Sequence, residues 1–187
     1  MRIIAFLSPE KGVGKTTNTI NLAYELASNG LRVLLIDMTL NRTMTYKLGL
    51  GSQETGIAEL IANSANDTPF PSKEDFIVNI KGVDCIASTP RLPLVEQSVG
   101  FLLRDDKLIT KTFKNIKKYL DYDFVIIDCD SGLHPWNQMI TAATDSLVVT
   151  ILANESSILK LQAFLLDVAM MQKKAAPYTK VEGIIVN

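Results

Sequence analysis

Lys15, Thr16 and Thr17 follow Gly12-Val13-Gly14, directly after the apolar run Arg2 to Leu7 and directly before a segment of helical periodicity. Two glycines let the backbone curl until successive N–H groups point inward, and the helix that follows adds its unpaired N-terminal donors. Such a turn cradles phosphate. The cradle is expected to run from Lys11 through Gly12, Val13, Gly14, Lys15 and Thr16 to Thr17, with the Lys15 ammonium on the outer phosphates and the Thr16 hydroxyl on a magnesium ion. The strict pattern G-x-x-x-x-G-K-[ST] asks for glycine where this chain has Pro9. The setting between strand and helix therefore supports the reading more than the string does, and an ordinary helix-capping turn is the alternative.

Two aspartates fit the same chemistry. Asp128 ends the run YDFVIID, so its carboxylate emerges at the C-terminal edge of a strand, where ligands of open α/β sheets bind. There it can hold the hydration shell of magnesium, with a buried structural carboxylate as the alternative. Asp37 leaves VLLID in the same way and is a second candidate for the metal shell or for contact with an attacking water.

These groups need a sheet to position them. Arg2 to Leu7, Leu31 to Ile36, Phe124 to Ile127, Leu147 to Leu152 and Gly183 to Val186 are nearly unbroken apolar runs, and Phe76 to Ile80 and Val83 to Ala87 are shorter strand candidates. Runs without alternation are buried on both faces, which predicts a doubly wound, mostly parallel sheet with helices on each side. Lys15 to Ser28 reads as a helix with Ile20, Ala23, Tyr24 and Ala27 on one face, stopped by Asn29-Gly30. Asn63 to Ser72, rich in Asn, Ser, Pro and Asp, reads as a loop. Asp105 to Leu120 reads as an amphipathic helix, with Ile109, Phe113, Ile116 and Leu120 opposite Lys107, Lys111, Lys114 and Lys118. That lysine ridge is either a solvated face or a contact for DNA or an acidic partner.

With 187 residues and 47% hydrophobic content, one nucleotide-binding domain spanning 1–187 is expected. The formal net charge of -1 gives no global basic field for nucleic acid. Cys85 and Cys129 lie far apart inside strand-like runs and read as buried thiols. Met1-Arg2 leads straight into IIAFL without a signal-peptide pattern, and no apolar run reaches the roughly 18 residues of a spanning helix. A cytoplasmic protein with no transmembrane segment is the expectation. VEGIIVN reads as a strand at the very end, so a C-terminally shortened domain is expected too.

The chain resembles the ParA/MinD family of deviant Walker A ATPases. The likeness lies in the loop, in LRVLLIDMTLNRTMTYKLGL, in YDFVIIDCDSGL and in AATDSLVVTILANESS, which look like that family's switch I, Walker B with switch II, and next strand with its helix. The resemblance implies ATP or ADP with Mg2+, a nucleotide-sandwich homodimer, and a switch that positions DNA, plasmids or cellular machinery with a protein partner acting on the ATPase. Asn187 matches the family position that touches adenine.

Two departures follow from the same alignment. The family's signature lysine falls on Glu10, whose carboxylate would meet a partner's phosphates with like charge, while the neighbouring Lys11 either replaces that cation or simply hydrates. The water-orienting aspartate falls on Thr39, which offers a hydroxyl without charge. Slow hydrolysis is therefore expected. Asp130 stands where the family usually carries proline or alanine, and is either a compensating catalytic carboxylate beside Lys15 and Asp37 or a turn former before Ser131-Gly132. A non-hydrolysing scaffold and a small-molecule synthetase of the wider superfamily are the rival readings. His134 reads as a helix-start residue, and Trp136, if exposed, as a partner contact.

Overall fold

Along the central strands, consecutive side chains go to opposite faces, and both faces are apolar. Ile3, Ala5 and Leu7 join one cluster while Ile4 and Phe6 join the other, so the strand must be covered twice. The computed structural model describes residues 1–99 and 107–187. The elements are β1 (Arg2–Leu7), α1 (Lys15–Ser28), β2 (Val33–Asp37), α2 (Thr43–Lys47), α3 (Ile57–Ala65), α4 (Lys73–Phe76), β3 (Val78–Ile80) and β4 (Val83–Ile86). They continue with α5 (Leu92–Ser98), α6 (Leu108–Tyr119), β5 (Phe124–Asp128), α7 (Pro135–Ala142), β6 (Ser146–Ile151), α8 (Glu155–Lys174) and β7 (Lys180–Val186).

The seven strands lie in the order β3-β4-β2-β5-β1-β6-β7. All neighbours pair parallel except β3 and β4, whose antiparallel pairing suits the tight turn through Lys81 and Gly82. The expected doubly wound α/β architecture is therefore the one observed. Helix α1 packs with Met44 and Leu50 on one face of the sheet, and α3, α6 and α8 supply Leu60, Phe113 and Phe164 to the other. The edge strand β7 keeps Val181, Ile184 and Val186 exposed.

Several expectations shift in detail. Phe76 closes the short helix α4 instead of opening a strand, and α3 runs through Asn63 to Ala65 before the irregular stretch begins. The amphipathic segment starts its described helix at Leu108, so Asp105 lies outside the described residues. Its lysine ridge is partly neutralised: Lys111 pairs with Asp67 at 2.7 Å, and Lys118 sits 5.2 Å from the Tyr119 ring centroid. That pattern suits a solvated face. Trp136 is wholly buried, and its indole N–H donates to Met38 O at 3.1 Å, so it is a core anchor and no surface contact.

Candidate functional site

Three strand ends meet one loop. The turns after β1, β2 and β5 bring Ser8, Thr39 and Asp130 to a cavity of about 380 Å³, whose wall includes every residue from Glu10 to Thr17. The loop is shaped by Gly12 and Gly14, both with positive φ, at 80° and 85°. Gly14 caps α1 with no side-chain hydrogen bond, and the first turn holds no acidic residue. The N–H groups of that turn thus meet no side-chain cap, which is the arrangement an anion requires.

Lys15 and Thr16 converge on Asp128. The Lys15 ammonium lies 3.2 Å from Asp128 Oδ1 and also donates to the carbonyl of Cys129, while Thr16 Oγ1 donates to Asp128 Oδ2 at 2.7 Å. Thr19, one turn further along α1, places its hydroxyl 3.5 Å from Asp128 Oδ1 and 2.9 Å from the carbonyl of Lys15. Burial pushes the Asp128 carboxyl above its usual range; Lys15 and the Thr16 hydrogen bond pull it back, and Asp37 pushes it up again.

Asp37 is the register partner of Asp128 on the adjacent strand, yet its surroundings are different. Its Oδ1 accepts from Thr39 N at 2.9 Å and Thr39 Oγ1 at 2.7 Å, and its Oδ2 from Thr45 N at 2.8 Å and Thr45 Oγ1 at 2.7 Å. With no exposure and both oxygens engaged, it does not line the cavity. The turn that follows wraps back over the carboxylate and engages both oxygens; Asp128 is equally buried and likewise off the cavity wall, with its own oxygens on Lys15 and Thr16. Burial raises its pKa, against the lowering by these four hydrogen bonds.

Thr39 reaches the cavity, but its hydroxyl donates to Asp37 and accepts from Thr43 N at 2.9 Å. Asp130 also lines the cavity, with Oδ2 accepting from Leu40 N at 2.9 Å, so it ties the turn after β5 to the turn after β2. Glu10 lines the cavity and is tied to α8. Its carboxylate is held by Ser157 Oγ and the Lys160 ammonium on α8, which lower its pKa. Lys11 lines the cavity and joins no ion pair among the described residues. Asn187 donates from Nδ2 to Val13 O at 2.6 Å and accepts weakly from Asn18 at 3.4 Å, which puts it against the loop.

The remaining groups take structural places. His134 is the residue before α7, as a helix-start residue would be. Cys85 and Cys129 are free and buried; burial pushes the Cys85 thiol up to about 12 and that of Cys129 well above its ordinary value. Sequence reasoning missed Thr19, Thr45, Ser157 and Lys160. Thr19 had a signal, a hydroxyl one helical turn after Lys15; the other three are joined to the site by tertiary contacts that no local pattern announces.

The donor set fits a nucleotide with a hard cation. A Cβ at Gly12 would meet nothing within 4 Å, which leaves room over the loop, and Thr16 and Asp128 offer the oxygen ligands that magnesium prefers. Among the described residues no group of three or more His, Cys, Asp or Glu side chains could hold a metal unaided. Magnesium shared with phosphates and water has no need of one.

A family model described as an AAA domain matches residues 1–181. The sporulation initiation inhibitor protein Soj of Bacillus subtilis is 26% identical over 184 residues, which cover 98% of this chain and 71% of Soj. The chromosome partitioning protein ParA of Caulobacter vibrioides is 25% identical over 187 residues, covering 99% of this chain and 68% of ParA. Among solved structures, cobyrinic acid a,c-diamide synthase of Mycobacterium smegmatis with bound ATP analog and magnesium superposes with a TM-score of 0.84 at 21% identity, over 100% of this chain and 74% of that one. The last likeness shows the shared fold. The match of the AAA-domain model through nearly the whole chain, the Soj and ParA relatives, and the glycine-capped helix over Asp128 together make this chain a member of the ParA/MinD family of P-loop ATPases.

Proposed function

We propose that the chain binds ATP or ADP with Mg2+ at the cavity after β1 and works in the cytoplasm as a ParA-like switch in positioning DNA or cellular machinery, hydrolysing ATP slowly. The observation that carries this reading is the convergence of Lys15 and Thr16 on Asp128 beneath an N-terminal helix turn with no side-chain cap. On binding, Lys15 would exchange its contact with Asp128 for the outer phosphates, Thr16 and Asp128 would hold the magnesium shell, and the backbone from Lys11 to Thr17 would cradle the phosphate chain. Magnesium would neutralise charge on the phosphate oxygens. Asn187, at the edge of the loop, is the candidate adenine contact.

Slow hydrolysis follows from Thr39. Its hydroxyl already serves Asp37 and Thr43 N, and it brings no carboxylate to orient a water. Asp130 is the cavity carboxylate available for that role. The same observation favours a second reading, a nucleotide-binding scaffold that does not hydrolyse and acts through partner binding alone. Names of relatives such as chromosome partitioning protein ParA support DNA as the cargo class, although the chain itself has a net charge of -1. Calorimetric ATP·Mg affinity measured beside turnover of the purified protein tests both readings. Binding with measurable turnover supports the switch, binding without turnover supports the scaffold, and absence of binding overturns both.

A further inference from the structure

The saturated Asp37 has a task besides filling the core. By accepting from both the amide and the hydroxyl of Thr45, it fixes the middle of α2 to the end of β2. Thr45 Oγ1 in turn accepts from Ser88 N at 2.9 Å. Arg42, at the head of α2, donates to Ser88 O at 2.8 Å and to Gly51 O at 2.9 Å. A helix of five residues has little stability of its own, so these bonds are what hold it. The platform so built ends in Lys47.

Lys47 lines the cavity, and its ammonium lies 3.2 Å from Thr17 Oγ1, in the first turn of α1. Of the other charges on the cavity wall, Lys15 is paired with Asp128 and Glu10 with Lys160, while Lys11 and Asp130 join no ion pair among the described residues. Lys47 forms no ion pair among the described residues, and its hydrogen bond goes to the neutral hydroxyl of Thr17. A cation fixed over a helix N-terminus, with its charge unanswered, presents the same attraction to an anion as the helix turn itself.

We propose that Lys47 is a phosphate-binding residue of this site, its ammonium taking a phosphate oxygen next to Thr17. This inference rests on the nucleotide reading given above. It sets apart a cation on the wall that follows β2 from the Lys15 cation on the loop. The plain alternative is that Lys47 merely complements the C-terminal turn of α2, a role that affects stability and leaves nucleotide affinity alone.

The test is calorimetry of the whole chain with ATP·Mg and with adenosine, at low and high salt, for wild type, Lys47→Ala, Lys47→Arg and Lys47→Glu, with thermal midpoints recorded for each. Lys47→Ala should weaken ATP·Mg binding about threefold to tenfold at low salt, as expected for one partly exposed charge-assisted contact. The loss should shrink at high salt, grow in Lys47→Glu and be largely restored in Lys47→Arg, with adenosine affinity and thermal midpoint unchanged. Wild-type binding that Lys47→Ala leaves intact would overturn the role of Lys47 while sparing the nucleotide reading. So would an affinity loss that follows a fall in thermal midpoint. Failure of wild type to bind ATP·Mg would remove the nucleotide reading and this inference with it.

Discussion

Asp37 and Asp128 stand side by side at the ends of adjacent parallel strands, equally buried, and they are partnered in opposite ways. Asp128 faces α1, which brings a lysine ammonium and two threonine hydroxyls. Asp37 faces the turn and helix α2, which bring two hydroxyls and two amides and no cation. An apolar strand ending in aspartate thus specifies where a carboxylate emerges, and the element packed above it decides whether that carboxylate meets a cation or the amides and hydroxyls of a turn. Burial raises the pKa of both, and Asp128 alone of the two has a cation among the causes that oppose it.

The comparison breaks most visibly at the charged pair. Removing Lys15 or Asp128 leaves the other uncompensated in the interior, so Lys15→Ala and Asp128→Ala should each cost about 3–5 kcal/mol in urea unfolding without nucleotide. Lys15→Ala should in addition weaken ATP·Mg binding more than tenfold, about 1.4 kcal/mol or more. Unchanged calorimetric affinity in that variant would rule out the phosphate-loop reading.

Asp37→Asn should lose about 1–3 kcal/mol, because the new amide group faces two donors that it cannot satisfy. ATP·Mg affinity should change less than in Asp128→Asn. Equal loss of magnesium-dependent affinity in the two variants, with stability retained in Asp37→Asn, would return Asp37 to the metal shell.

Thr39→Asp sharpens the contrast by adding charge where Asp37 has none above it. Turnover should rise about tenfold or more if a water-orienting carboxylate is what the site lacks. The new carboxylate lies beside that of Asp37, so ionisation of the pair is disfavoured in the folded state, and the stability cost at neutral pH should ease as pH falls. Turnover higher in wild type than in the variant would point to Asp130 instead.

A third carboxylate extends the comparison to the surface, with the smallest effect. Glu10 has a pKa below its ordinary 4.5, mainly through Lys160 and then Ser157. A lowered folded pKa means the contact contributes fully above the unfolded value and is lost as pH falls through the folded one. Protection factors at residues 8–14, corrected for the intrinsic exchange rate at each pH, should therefore fall as pH drops below the ordinary 4.5, and do so less in Lys160→Ala, where the contact is already gone. Glu10→Lys should favour an ATP-dependent dimer in light scattering, and the double exchange Glu10→Lys with Lys160→Glu should reverse that gain.

Much of the frame was legible from the residues. Unbroken apolar runs gave the parallel sheet, Gly12, Gly14 and Lys15 gave the loop, and Asn29-Gly30 gave the end of α1, because each is a local pattern with a local cause. Phe76 misled because an aromatic beside Ile77 and Val78 has strand propensity, whereas Ser72 and the acidic Glu74 and Asp75 favour a helical first turn. The fate of Asp37 was not legible, since nothing in the sequence says that Thr45, eight residues on, folds back over it. Glu10 hid its partner for a similar reason: Lys160 is 150 residues away and meets it only after α8 has docked.

The bond from Asn187 to Val13 joins residues 174 apart, and the Asn187 amide nitrogen lies 2.5 Å from where a Cβ on Gly14 would stand. On a ribosome adding about 5–20 residues per second, the loop exists for on the order of ten seconds before Asn187 has been made. Through that interval a nascent chain displays the glycine turn and Lys15 without β7 beside them. Nucleotide captured in that interval would meet a looser loop than the one that Asn187 braces.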